Sequence, residues 1–155
     1  MPTIVILDRE SSRQEHLLKL IQRIDPQFQI EAFFRPESAL SWLSWNSADL
    51  LLCDSLFPHI GAAELIRRIR QLPDGKDLSV LMMAPWSDRD LRRQVLDAGA
   101  NDLLATPVDD LELRARCNNL LTQRQQQKII RERAHWLEQR ISDATSEIRL
   151  REHET

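Results

Sequence analysis

"DLLLCDSLFPHI", residues 49–60, ends an apolar run, Leu50-Leu51-Leu52-Cys53, in a carboxylate, Asp54. An unpaired charge at the end of a buried strand costs several kcal/mol, so Asp54 is either paired for structural reasons or kept for chemistry. The N-terminal "TIVILDRE", residues 3–10, repeats the pattern and ends its own apolar run in Asp8.

The rest of the chain alternates short apolar runs with helical patterns. Thr3 to Leu7 reads as a buried strand. Ser12 followed by Glu15 is a capping-box signature, opening a helix with Leu17, Leu18, Leu20, Ile21 and Ile24 on one side and closed by Asp25-Pro26. Phe28 to Phe34 alternates as a strand does, and Pro36 opens a short helix carrying Leu40, Trp42, Leu43 and Trp45. After the third strand, Leu50 to Cys53, the loop Pro58 to Gly61 leads to a helix with Leu65, Ile66, Ile69 and Leu72. "LPDGKD" is turn chemistry, and Ser79 to Met83 is the fourth strand. Ser87 with Asp90 is expected to cap a helix running to Ala98, and Gly99 suits its C-terminal stop. Asp102 to Ala105 is the fifth strand, broken by Thr106-Pro107. Strands alternating with helices build right-handed βαβ units on a parallel sheet, and runs this apolar fit strands covered on both faces. The expected fold is α/β, a doubly wound five-stranded parallel sheet over roughly residues 1–122, followed by an extended C-terminal helix.

The totals bound the function. The 155 residues suffice for one domain and an appendage, and 42% hydrophobic content supplies a core. A net charge of -3 argues against a nucleic-acid module, which would carry a basic stripe. No apolar run approaches the roughly 18 residues of a membrane span, and no secretory signal opens the chain. Cys53 and Cys117, without metal-ligand spacing, read as buried free thiols of a reducing compartment, so a cytoplasmic protein is expected. The histidines His16, His59, His135 and His153 are scattered and build no metal site.

The last third differs. Asp109 is expected to cap a helix free of Pro and Gly from Leu111 onward, whose start, Leu113-Cys117-Leu120, can pack on the sheet. After the polar "TQRQQQK", Ile130, Ala134, Leu137, Ile141, Ala144 and Ile148 recur at spacings of 4, 3, 4, 3 and 4, a heptad seam flanked by charges of both signs. Such a stripe either folds back on its own domain or pairs with a second chain; a helix of roughly 60 Å favours the second. The helix runs to Glu154-Thr155 without a cap, as expected of a piece of a longer protein.

In open parallel sheets ligands sit beyond the carboxyl ends of the strands, at the switch point of strand order. In the order 2-1-3-4-5 the first and third strands flank that point, so Asp8 and Asp54 should face each other across it. Asp8 has a structural alternative, helping to cap the first helix, though Ser12 is better placed. Asp54 cannot cap the next helix, which starts about seven residues later, so a structural role for it rests on pairing alone. Two close acids raise each other's pKa, and a cation relieves that.

These residues resemble the receiver domain of bacterial response regulators over residues 3–122, a CheY-like, flavodoxin-like fold. "IVILDRE" is similar to the first-strand acidic motif, "DLLLCDSLFPHIGAAELIRRIR" to the phosphoacceptor motif with its Pro, and "LDAGANDLLATPVDDLELRARC" to the closing motif. The resemblance implies that Asp54 is the phosphoacceptor, that Asp8, Asp54 and the Leu56 backbone carbonyl hold Mg²⁺, and that Thr106-Pro107 is cis. It also implies pairing through the fourth helix, fifth strand and fifth helix, about Ser87 to Leu121. "ELRARCNNLLTQRQQQ…LEQRISDATSEIRLREHET" is similar to the linker preceding HD-GYP cyclic di-GMP phosphodiesterase domains, of which nothing else is present. The domains are then a receiver at 1–122 and a helical coiled-coil linker at 123–155.

The departures from that family bear on mechanism. Its second metal-binding acid is replaced by Arg9, the hydroxyl ending the fourth strand by Ala84, the switching aromatic of the fifth strand by Leu103, and the lysine before Pro107 by Thr106. Folded inward, Arg9 would pair Asp54 bidentately. Glu10 is the one residue able to supply the missing metal ligand; its alternative is the first helical turn, favoured by the helix dipole. His59 would lie at the rim or simply in a solvated loop. Phosphoryl transfer depends on positioning and charge neutralisation, and both suffer here, so Mg²⁺ is expected to bind weakly or not at all. Three functions are compatible with these residues. A pseudo-receiver, acting by homodimerisation and docking of a histidine kinase or other signalling protein, is the expected one. A receiver phosphorylated on Asp54 is the alternative. A nucleotide- or flavin-binding enzyme ranks last, because no Gly-rich loop follows the first strand. No nucleic acid, membrane or catalysis of its own is expected.

Overall fold

A computed structural model describes the backbone of residues 1–154 and the side chains of residues 1–148. Five strands, β1 (Thr3–Leu7), β2 (Gln29–Phe33), β3 (Leu50–Asp54), β4 (Ser79–Pro85) and β5 (Asp102–Thr106), alternate with helices α1 (Ser11–Ile24), α2 (Pro36–Trp45), α3 (Ala62–Gln71), α4 (Arg89–Ala98) and α5 (Asp110–Glu154). The strands form one parallel sheet in the order β2-β1-β3-β4-β5.

Strand side chains alternate between the two faces, and the core divides accordingly. Val5, Leu7, Leu51, Cys53, Val80 and Met82 pack with Leu43 of α2, Leu65, Ile66 and Ile69 of α3 and Val95 of α4. Ile4, Ile6, Leu50, Leu52, Leu81 and Met83 pack with Leu17 and Ile21 of α1 and with Leu113, Cys117 and Leu120 of α5. β3 is buried along its whole length, which explains why its sequence is a run rather than an alternation. Burying each large aliphatic chain contributes about 1.5–3 kcal/mol. Trp45, expected among the apolar residues of α2, is instead exposed. Cys53 and Cys117 are both fully buried, one in each layer; burial pushes both thiols up, Cys117 to about 12.

Two expected caps are corrected. α1 begins at Ser11, one residue before the expected cap, so Ser12 lies inside the helix; the N-cap is Glu10 and makes no side-chain cap bond. Its backbone N–H donates instead to Asp8 Oδ1 at 2.9 Å, so Asp8 performs part of the structural task weighed for it. At α4 the cap is Asp88 rather than Ser87, with Oδ1 accepting from Leu91 N–H at 3.0 Å. Asp109 accepts from Leu111 N–H at 3.0 Å at the start of α5, as expected. Gly99 closes α4 at φ 119, a left-handed value favouring glycine.

The chain divides into two compact units, Met1–Leu121 and a second beginning at Thr122. In the second, Ile130, Ala134, Leu137, Ile141, Ala144 and Ile148 are all exposed. The uncapped end expected at Glu154-Thr155 lies outside the described residues.

Candidate functional site

Leu7 pairs with Cys53 in the β1–β3 register, so the residues that follow them, Asp8 and Asp54, end neighbouring strands. By alternation both fall on the side of the even-numbered Ile4, Ile6, Leu50 and Leu52, which is the face covered by α1. Helical side chains lean back toward the helix N-terminus, so the first turn of α1 lies over both carboxylates. Its third residue is Arg13.

Arg13 joins the two acids. Its Nε donates to Asp8 Oδ2 at 2.6 Å, and its Nη2 donates to Asp8 Oδ1 at 2.9 Å and to Asp54 Oδ2 at 3.0 Å. Nη1 lies 3.2 Å from the Glu10 carboxylate. The guanidinium is thus bidentate on Asp8 and shared with Asp54, at an acid pair that is fully buried at Asp8 and 3% exposed at Asp54. The planar fork matches carboxylate geometry. Hydrogen bonding to Asp8 raises the Arg13 pKa against the opposing effect of burial, so this cation stays charged. Gln14 completes the edge, donating from Nε2 to Phe33 O at 2.7 Å.

Arg9, expected to hold Asp54, keeps an ion pair with it but not the bidentate one. Its Nε lies 3.7 Å from Asp54 Oδ2 and its side chain is 54% exposed, beyond hydrogen-bond distance. Sequence adjacency pointed to Arg9; the tilt of α1 side chains delivers Arg13. Glu10 is the N-cap, just before the first turn expected as its alternative, and its carboxylate lies on Arg13.

Asp54 Oδ1 accepts a long bond, 3.4 Å, from Leu56 N–H. Burial, and then the Asp8 charge, push the Asp54 carboxyl above its ordinary pKa, while Arg13 and backbone N–H groups pull it back. Next to it, the buried Ser55 hydroxyl has no partner among the described residues, a neighbour the sequence reading passed over.

Of the remaining expected positions, Ala84 and Thr106 lie toward the carboxyl ends of β4 and β5, and Leu103 lies further back on β5. Ala84 is buried near the end of β4 and pairs in register with Ala105; Leu103 is half-buried against the α2–α3–α4 layer. The Thr106-Pro107 bond is cis. His59 is exposed in the loop after β3 and lines a cleft there.

The donor set does not fit a resident Mg²⁺. A hard dication takes oxygen ligands, but both oxygens of Asp8 are engaged by Arg13. A guanidinium stands between the two acids, and among the described residues no group of three His, Cys, Asp or Glu is placed to hold a metal. What the arrangement does instead is offset charge: Arg13 inside and Arg9 outside set two cations against the buried pair Asp8 and Asp54, with the exposed Glu10 carboxylate also on Arg13.

Known proteins align with this geometry. The family described as response regulator receiver domain matches residues 4–118. The cyclic di-GMP phosphodiesterase response regulator RpfG of Xanthomonas campestris pv. campestris is 39% identical over 152 residues, 98% of this chain and 40% of that protein. The chain therefore spans well under half of that relative. The signal receiver domain of a signal transduction histidine kinase from Syntrophus aciditrophicus superposes with a TM-score of 0.70 at 25% identity, covering 79% of this chain and 91% of that one. The receiver domain of a sensor histidine kinase from Pseudomonas aeruginosa, with a magnesium ion coordinated in its active site cleft, shares the fold at a TM-score of 0.70 and 18% identity, covering 78% of this chain and 98% of that one.

Proposed function

The chain belongs to the response regulator receiver domain family, and from that premise we propose that this member is a pseudo-receiver, signalling by docking and pairing rather than by phosphate on Asp54. Receiver domains work with histidine kinases and other signalling proteins and generally bind Mg²⁺ at their acidic site; the receiver fold is not itself an enzyme. One observation carries the reading: the Arg13 guanidinium bonds both Asp8 and Asp54 where the family binds its ion. A phosphoacceptor must present a free carboxylate oxygen in line with the incoming group and have its added charge, about -1.5 to -2, neutralised on arrival. Here one Asp54 oxygen is bound, Ala84 offers no hydroxyl, and Leu103 has no ring to turn.

In this reading residues 1–122 form the receiver and 123–155 a coiled-coil linker, which pairs two copies in parallel along Ile130 to Ile148 in the cytoplasm. The linker leads to an output domain, for which the similarity to RpfG points to cyclic di-GMP hydrolysis. The alternative, phosphorylation on Asp54, draws on Oδ1, which Arg13 does not bond and which Leu56 N–H reaches only at 3.4 Å. Intact-mass spectrometry after incubation with acetyl phosphate, with and without Mg²⁺ and with Asp54→Ala as control, separates the two. The expected result is no adduct under any condition. A single phosphoryl adduct, lost in the control, would establish the alternative.

A further inference from the structure

Beyond the acid pair, three loops at the carboxyl ends of β1, β2 and β3 enclose a cleft of about 630 Å³, lined among others by Arg9, Phe34, Arg35, Glu37, Phe57 and His59. That volume suits a small ligand, and the carboxyl edge of a parallel sheet is where such folds bind one. We propose that this cleft binds a nucleoside monophosphate.

Charge and shape argue for that class. The lining carries two guanidinium groups, Arg9 and Arg35, and one carboxylate, Glu37. Arg35 makes no ion pair among the described residues, and Arg9 keeps only its 3.7 Å approach to Asp54. Guanidinium forks recognise phosphate oxygens bidentately, and two of them match a phosphate near its dianionic state. Phe34 leaves 51% of its surface exposed at the same cleft, with Phe57 also on the wall. Aromatic faces of this kind stack bases of any sequence. Glu37 then has a role on an otherwise cationic rim, because a carboxylate accepts from the N–H donors on a base edge. No glycine-rich loop is needed, since the anion is met by side chains rather than by backbone amides.

Arg9 links this cleft to the acid pair. A phosphate drawing its guanidinium outward would leave Asp54 to Arg13 alone, so occupancy of the cleft reaches the centre that phosphorylation addresses in other receivers. Binding itself does not depend on whether Asp54 accepts phosphate, so the test stands apart from the acetyl phosphate experiment.

The test is calorimetric titration of the 155-residue chain with GMP, guanosine and inorganic phosphate, repeated on Arg35→Glu and Phe34→Ser. Both positions are exposed, and unchanged thermal unfolding would verify the fold of each variant. GMP is expected to bind with a Kd of about 0.1 mM, and each fragment alone at least about tenfold more weakly. Each variant is expected to weaken GMP by about tenfold or more. Absence of GMP binding, either variant retaining the original affinity, or phosphate or guanosine binding as tightly as GMP would overturn the proposal.

Discussion

At Asp54 burial and charge compete, and the balance gives the molecule a definite pH response. Its carboxyl is raised above its ordinary pKa by burial and by Asp8, so ionising it in the folded state costs more than in the unfolded one. As pH falls through the folded-state pKa, the native protein takes up the proton first and that cost disappears. Asp54→Asn removes the buried charge and is expected to stabilise the fold at neutral pH by about 1 kcal/mol, an advantage over the parent that shrinks on acidification. Thermal unfolding of both proteins across pH 4–8 measures it; a destabilised variant at pH 7 would contradict the balance described. Arg13→Ala should act oppositely, destabilising by about 2 kcal/mol at neutral pH, because two buried carboxylates lose their shared cation, and recovering part of that as pH falls. Asp8 and Asp54 were legible in the sequence because an apolar run ending in an acid is costly and therefore informative. Arg13 was not. Adjacency favoured Arg9, and only the register of the helix start, together with the backward lean of helical side chains, brings a residue five positions on over both acids.

Among the elements, a single side chain ties the α3–β4 connection to the end of α4. Arg70 donates from Nη1 to Gly75 O at 2.8 Å and also to Leu78 O, and from Nη2 to Asn101 Oδ1 at 2.8 Å and also to Gly99 O. Asn101 Oδ1 in turn accepts from Val80 N–H at 2.7 Å. Arg70→Ala leaves several carbonyls unpaired and is expected to cost about 2–3 kcal/mol, and Lys, with one head group in place of a fork, should restore little of it. Gly99→Ala meets both a left-handed φ of 119 and an Arg70 Nε 3.2 Å from the added carbon, so a loss of about 1–2 kcal/mol is expected. Denaturant unfolding of the three variants checks both statements. Strand order and helix count were readable from alternating apolar runs, whereas caps were misplaced by two residues at Ser12 and by one at Ser87. The physical reason is that several capping-type residues cluster at both starts, and the choice among them is made by short-range side-chain bonds, Asp8 on Glu10 N–H and Asp88 on Leu91 N–H.

For the molecule as a whole, the question is what covers the stripe from Ile130 to Ile148. Ile141 is 67% exposed and Ile130 65%. The exposed stripe was legible because heptad spacing is a one-dimensional signal; what the stripe pairs with is left to the dimer proposal, because a single chain's sequence carries no record of a partner. Under the dimer proposal, light scattering should give twice the chain mass at high concentration. Ile141→Asp, placing a charge in the seam, should give the monomer mass and lower helical content by circular dichroism; an unaltered mass in that variant would count against pairing there. A different property follows from the two thiols, one beneath each layer of helices. A maleimide reagent meets neither while the protein is closed, so each cysteine is a clock. Labelling of Cys53 would time the opening of the α2–α3–α4 layer and labelling of Cys117 that of the α1–α5 layer, and the two rates, read by mass on single-cysteine variants, would tell whether the sheet sheds its coverings together or one at a time.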